Sequence, residues 1–108
     1  MSWNLFIDDE RFPPDDGRDW VIARNEFQVY IEIALHEECP VYISFDHDLG
    51  EDVSTGYDIA KELVERDMSE HSWFKFPENF SFYVHSQNPI GKKNIESYLN
   101  NYLKHRGK

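Results

Sequence analysis

Four short runs of apolar and β-branched residues, at residues 3–7, 20–23, 41–45 and 80–84, alternate with longer stretches in which apolar residues recur at helical spacing. Runs of that length bounded by turn residues read as strands. Strands separated by helices pair in parallel through right-handed crossovers, so the alternation predicts an α/β three-layer sandwich with helices on both faces of the sheet. The first helix follows Asn25, which with Gln28 resembles a capping box; Phe27, Tyr30, Ile31, Ala34 and Leu35 recur along it, and it ends before Pro40. Thr55 and Asp58 repeat the capping pattern before a face of Ile59, Ala60, Leu63 and Val64. Asn88 can cap a third helix with Pro89 at its first position and Ile95, Tyr98, Leu99, Tyr102 and Leu103 as its stripe.

With 108 residues, 40% hydrophobic and 16% aromatic, the chain is sized for one compact domain spanning 1–108. Folding should bury about two thirds of the unfolded surface, so the core needs no disulfide or structural metal. The lone Cys39 agrees, reading as a small packing residue in a reduced, cytoplasmic setting. No basic segment followed by a long apolar run opens the sequence, and no stretch approaches the length of a membrane span. The net charge of −10 argues against an extended nucleic-acid surface. A local phosphate site survives that argument, because a helix N-terminus, a few cations or a divalent ion can reverse the field in one pocket. Residues 11–19 and 69–79 read as loops; Trp73, Phe74 and Phe76 in the second most simply cover the core, with base stacking or a partner surface as the other uses.

In an open parallel sheet, ligands bind outside the carboxyl ends of the strands, which makes the residues just after each strand the informative ones. Here they are Asp8, Asp9, Glu10 and Arg11; Arg24 and Asn25; Asp46, His47 and Asp48; and His85, Ser86 and Asn88. Carboxylates converging on one edge would repel one another, and a divalent cation would relieve them; carboxylate ligands suit Mg²⁺ or Mn²⁺. Opposite them, Ser86, Asn88 and the free N–H groups of the helix opening at Pro89 form an anion seat, with Lys92 and Lys93 in its first turns. Each acidic residue alone could equally be a solvated turn residue or cap. Their recurrence at several strand ends favours a phosphoryl-handling pocket. His47 and His85 could supply general acid and base at neutral pH, whereas His36, His71 and His105 are expected to be solvated. Arg11 and Arg24 could neutralise carboxylates or grip phosphate.

The blocks "LFIDDERFPP", "ISFDHDLG....STGYDIAKELVE" and "VHSQNPIGKKNI" resemble the cyclic-phosphate processing receiver domains, a group within the response-regulator receiver superfamily, over nearly the whole chain. The resemblance implies a receiver/flavodoxin-like sheet of strand order 2-1-3-4. It matches Asp8 and Asp9 to the receiver's metal-binding acidic pair, Asp46 to its phospho-acceptor and Ser86 to its hydroxyl residue. The chain departs from a signalling receiver in lacking a convincing fifth strand with its lysine. His47, Asp48, His85 and Asn88 are added around the pocket instead. The implied activity is that of a phosphoesterase opening cyclic phosphates, such as 2′,3′-cyclic ends in RNA processing or repair. On this reading Asp8, Asp9 and Asp46 hold Mg²⁺ or Mn²⁺, His47 and His85 carry the protons, Asp48 orients a histidine, and Ser86, Asn88, Arg11 and Lys92 hold phosphate. Two alternatives stand beside it: Asp46 as a nucleophile forming an aspartyl phosphate, and a non-catalytic module binding a protein or nucleotide.

Overall fold

The computed structural model describes residues 2–106. Its elements run β1 (Asn4–Ile7), β2 (Trp20–Ala23), α1 (Glu26–His36), β3 (Tyr42–Phe45), α2 (Gly56–Met68), β4 (Ser81–Val84) and α3 (Pro89–Arg106). All strand pairs are parallel and the sheet order is β2-β1-β3-β4, a receiver-like α/β arrangement. The strands are aligned in register, so that Leu5, Val21, Ile43 and Phe82 form one row and Ile7, Ala23, Phe45 and Val84 the next but one. These two rows share a face, because side chains alternate along a strand. The rows of Asn4, Trp20, Tyr42, Ser81 and of Phe6, Ile22, Ser44, Tyr83 share the other.

The caps are those that the spacing implies, with one variation. Thr55 and Asp58 close a full capping box on α2, and the Asn88 side chain accepts the Gly91 N–H at the start of α3. At α1, Asn25 accepts the Gln28 N–H, but the Gln28 side chain reaches back to the N–H of Arg24 rather than to that of the cap.

Helices on both faces, as expected from the alternation, are not what the packing shows. Val29 and Ile33 of α1, Ile59, Ala60, Leu63 and Val64 of α2, and Ile95 and Leu99 of α3 all join one buried cluster with Leu5, Ile7, Ala23, Ile43, Phe45 and Val84. All three helices therefore lie on one side of the sheet. The cause is topological: β2 to β3 and β3 to β4 both step in the same direction across the sheet, and right-handed crossovers then put α1 and α2 on the same side. Only β1 to β2 steps the other way, and that connection, residues 8–19, contains no helix.

The α1 face is also corrected. Phe27 and Leu35 are each 71% exposed and Ile31 is 39% exposed, while Val29 and Ile33 enter the core. The 69–79 loop does cover the core through Phe74 and Phe76, each 2% exposed, with Trp73 left largely in solvent. Buried Asp67 anchors it, accepting from the Phe76 N–H at 2.8 Å and from the Tyr102 hydroxyl and pairing with Arg106. His36, expected to be solvated, instead stacks on Trp3 with ring centroids 3.9 Å apart. Cys39 is a buried free thiol whose ionisation is pushed far upward by burial, as a packing residue requires. No helix among the described residues is long and apolar enough to cross a membrane.

Candidate active site at the strand ends

The parallel ladder does not stop at the last strand residues. The N–H of Asp8 donates to Ala23 O at 3.2 Å, that of Asp46 to Ile7 O at 2.9 Å, and that of His85 to Phe45 O at 2.9 Å. Each chain thus stays extended for one more residue, and the pleat sends Asp8, Asp46 and His85 to the helix-free face. They occupy the same register position on three adjacent strands, one step beyond Ile7, Phe45 and Val84. One ligand atom from each lies within 4.8 Å of the others, a group that could hold a metal ion. His47, the next residue after Asp46, points to the helix side, where its ring lies so close to Gly91 of α3 that any Cβ there would overlap it.

His85 is held on three sides. Its Nε2 lies 2.9 Å from Asp8 Oδ2 and its Nδ1 lies 2.7 Å from Ser44 Oγ. Its ring stacks on Phe6 at 4.5 Å between centroids. Asp8 is fully buried, yet its Oδ1 accepts the N–H groups of Glu10 and Arg11 at 2.9 and 2.8 Å. Burial pushes its carboxyl upward, but those two N–H groups, His85 and the Arg11 charge outweigh it and hold Asp8 below the usual carboxylate range. Asp46 goes the other way. Burial and the neighbouring Asp8 charge raise it, against weaker relief from Arg11, His85 and the His47 N–H. Adjacent carboxylates with their proton affinities pushed apart occur at functional sites as well as in structural ion-pair networks, and make this group the candidate site.

Arg11 bridges the pair, with Nε 2.9 Å from Asp8 Oδ2 and Nη2 3.4 Å from Asp46 Oδ2. Its guanidinium supplies the positive charge that a metal would otherwise bring. Arg24 secures that loop from behind by donating to the carbonyls of Asp8 and Arg11 at 3.0 and 2.6 Å.

The other expected residues fall into two groups. Asp9, Glu10, Arg11, Asp46, Asp48, Ser86 and Asn88 border one open cleft of about 450 Å³. Asp9 is exposed there and stands outside the Asp8, Asp46 and His85 group. Asp48 Oδ1 lies 2.8 Å from His47 Nδ1, and Asn88 Nδ2 donates to Asp48 Oδ2 at 3.2 Å. The hydrogen bond from His47, helped by Asn88, keeps Asp48 below its ordinary range. Lys92 lies outside this cleft, its ammonium 5.7 Å from the centroid of the Tyr83 ring. His47 and His85 leave the sheet on opposite faces, so the structure unites His85, and not His47, with the two buried carboxylates. Ser44 was absent from the sequence reading. In aligned parallel strands Ser44 sits two residues below the Asp46 position, on the same face of the sheet, and beside Tyr83.

Residues 3–101 match the model of the family described as the cyclic-phosphate processing Receiver domain. No curated protein and no solved structure is significantly similar to the chain.

Proposed function

Because the chain belongs to the cyclic-phosphate processing receiver family, we propose that it is a phosphoesterase that opens cyclic phosphate esters at the Asp8, Asp46 and His85 group. The observation that carries this reading is His85 clamped between Asp8 and Ser44 beside a second carboxylate of raised proton affinity. Hydrolysis forms a bond between a water oxygen and phosphorus and breaks one ester P–O bond of the ring. One proton must leave the water and one must reach the departing oxygen.

Asp46, which borders the cleft and is more basic than an ordinary carboxylate, takes the first proton. His85 gives the second after exchanging one of its two present contacts for the departing oxygen, with Asp8 stabilising its charged ring. Arg11, 41% exposed in its side chain, turns from Asp46 to a nonbridging oxygen. Ser86 and Asn88, at the entrance to α3, seat the remaining phosphate oxygens. His47 acts at one remove, fixing Asp48 through Nδ1.

Two carboxylates and an imidazole form a mixed oxygen and nitrogen set that suits Mn²⁺ better than the harder Mg²⁺. As an alternative to that proton transfer, Asp8, Asp46 and His85 would hold the ion once Arg11 has moved aside, with His85 neutral and neither it nor Asp46 then carrying a proton. Bound there, a divalent ion would polarise the phosphate.

The test is turnover of a nucleoside 2′,3′-cyclic phosphate with Mn²⁺, Mg²⁺ or EDTA. His85→Ala and Asp46→Asn should each lower kcat about 100-fold or more, and His47→Ala should do less harm. Full activity in His85→Ala would overturn the assignment. A second reading has its own support: Asp46 borders the cleft whereas neither histidine does. In that case Asp46 attacks phosphorus itself and displaces one ring ester oxygen, which takes up a proton, and acid quenching would trap an aspartyl phosphodiester, still joined to the nucleoside, that Asp46→Asn cannot form.

A further inference from the structure

The helix-free face of the sheet carries a recess of about 220 Å³ that directly adjoins the acidic group. It is lined by Phe6, Ser44, Trp20, Tyr42, Tyr83 and His85 of the sheet and by Pro14 and Asp16 of the 8–19 connection. Phe6, Ser44 and Tyr83 share one register row, and Asp8, Asp46 and His85 continue the same strands two residues on. Two residues of parallel strand are about 7 Å, a distance that one ribose ring spans. His85 belongs to both places, touching Asp8 with one nitrogen and Ser44 with the other.

We propose that this recess seats the base of a nucleotide whose cyclic phosphate lies at Asp8, Asp46 and His85. The inference rests on the phosphoesterase reading and narrows its substrate class to nucleosides. Whole small-molecule sites run to roughly 300–1,000 Å³, so this recess takes a part of a ligand, one planar ring system, rather than a peptide or lipid segment. Its lining is mostly aromatic: Trp20 meets Phe6 edge-on and lies tilted against Tyr42, both at 5.7 Å between centroids. Tyr83 is 52% exposed and forms the open side through which a ring would enter. One carboxylate is in the lining: that of Asp16, which accepts from the Trp20 indole and from Arg18, whose guanidinium lies 4.4 Å from the Tyr42 ring centroid. A base stacked on aromatic side chains with a carboxylate at its edge is recognised mainly through its π face. The Trp73, Phe74 and Phe76 loop leaves no such slot, because Phe74 and Phe76 are spent on the core.

Three probes separate the recess from the phosphate site: adenosine 2′,3′-cyclic phosphate, the methyl riboside 2,3-cyclic phosphate that lacks a base, and adenosine without phosphate. Calorimetry should show the first binding at least about tenfold more tightly than the second, and Tyr83→Ala should remove about tenfold from its affinity. Tyr83 is half exposed on an edge strand, so thermal unfolding of that variant should match the parent; Tyr42→Ala provides an independent second truncation. In amide and indole NMR spectra, adenosine alone should shift the Trp20 indole and the Ser44 and Tyr83 amides. Equal affinity for the two cyclic phosphates, or adenosine shifts that avoid these three positions, would overturn the base site. Absence of ring-opened product together with adenosine shifts in the recess would instead sink the phosphoesterase reading and leave nucleoside binding standing.

Discussion

Asp8 and Asp46 are neighbours in the same row and respond to it in opposite ways, which sets opposite expectations for their removal. Asp8 has its folded-state affinity for a proton lowered, so its contribution to stability is present above the ordinary carboxylate range and is lost as pH falls through the lowered value. Asp8→Asn should therefore cost about 2 kcal/mol at pH 7 in denaturant unfolding, and the difference should fade in acid. Asp46 has its affinity raised, so its charged form opposes folding at neutral pH, and that opposition fades as pH falls through the raised value and is gone below the ordinary carboxylate range. Asp46→Asn should stabilise the protein, by about 1 kcal/mol at pH 7, while lowering kcat about 100-fold or more. A destabilised Asp46→Asn would show that the two carboxylates do not compete. The sequence made these acids visible as a cluster. It did not distinguish Asp8 from Asp9, because one position of pleat separates a fully buried carboxylate from an exposed one.

At the scale of elements, α1 separates pattern from packing. Its apolar residues run nearly all round, and the stripe through Phe27, Ile31 and Leu35 is as regular as the one through Val29 and Ile33. Only the second is buried. Val29→Ala and Ile33→Ala should each cost about 2–4 kcal/mol in unfolding free energy, whereas Phe27→Ala and Leu35→Ala should stay within about 0.5 kcal/mol. The reverse ranking would put α1 on the sheet by its other side. Two helix glycines make a second contrast. A Cβ at Gly91 would overlap the His47 ring and one at Gly56 the Asp46 carbonyl oxygen. The ring can turn away, so Gly91→Ala should cost about 1–2 kcal/mol after its helix-propensity gain and weaken the hold of His47 on Asp48. Gly56 meets backbone, and Gly56→Ala should cost about 3 kcal/mol or more, read by the same unfolding curves. The capping signals at Asn25, Thr55 and Asn88 were legible because caps are local chemistry.

For the whole molecule, the charge of −10 is the dominant long-range property. A strongly acidic body repels a phosphate backbone over its surface. Lengthening a substrate from a cyclic mononucleotide to an oligonucleotide ending in the same cyclic phosphate should therefore give no gain in kcat/KM. Added salt should help the longer substrate by screening repulsion. A large gain with length that salt abolishes would instead reveal a basic track. The one-sided stacking of helices also belongs to this scale, since it leaves the other face of the sheet free to carry both the aromatic recess and the row of Asp8, Asp46 and His85.

Local chemistry was enough to specify the elements, their caps, their parallel pairing and the concentration of titratable groups at the strand ends. Each of these depends on residues within a turn or two of one another, and the sequence displays such spacing directly. Which side chains meet depended on tertiary structure. His47 and His85 look equivalent in the sequence, yet the pleat sends one toward α3 and the other onto Phe6 and Asp8. Asp8 and His85 are 77 positions apart in the chain, and only alignment of β1, β3 and β4 brings them within a hydrogen bond. Contact at that separation is a property of register and crossover direction, which no single stretch of sequence encodes.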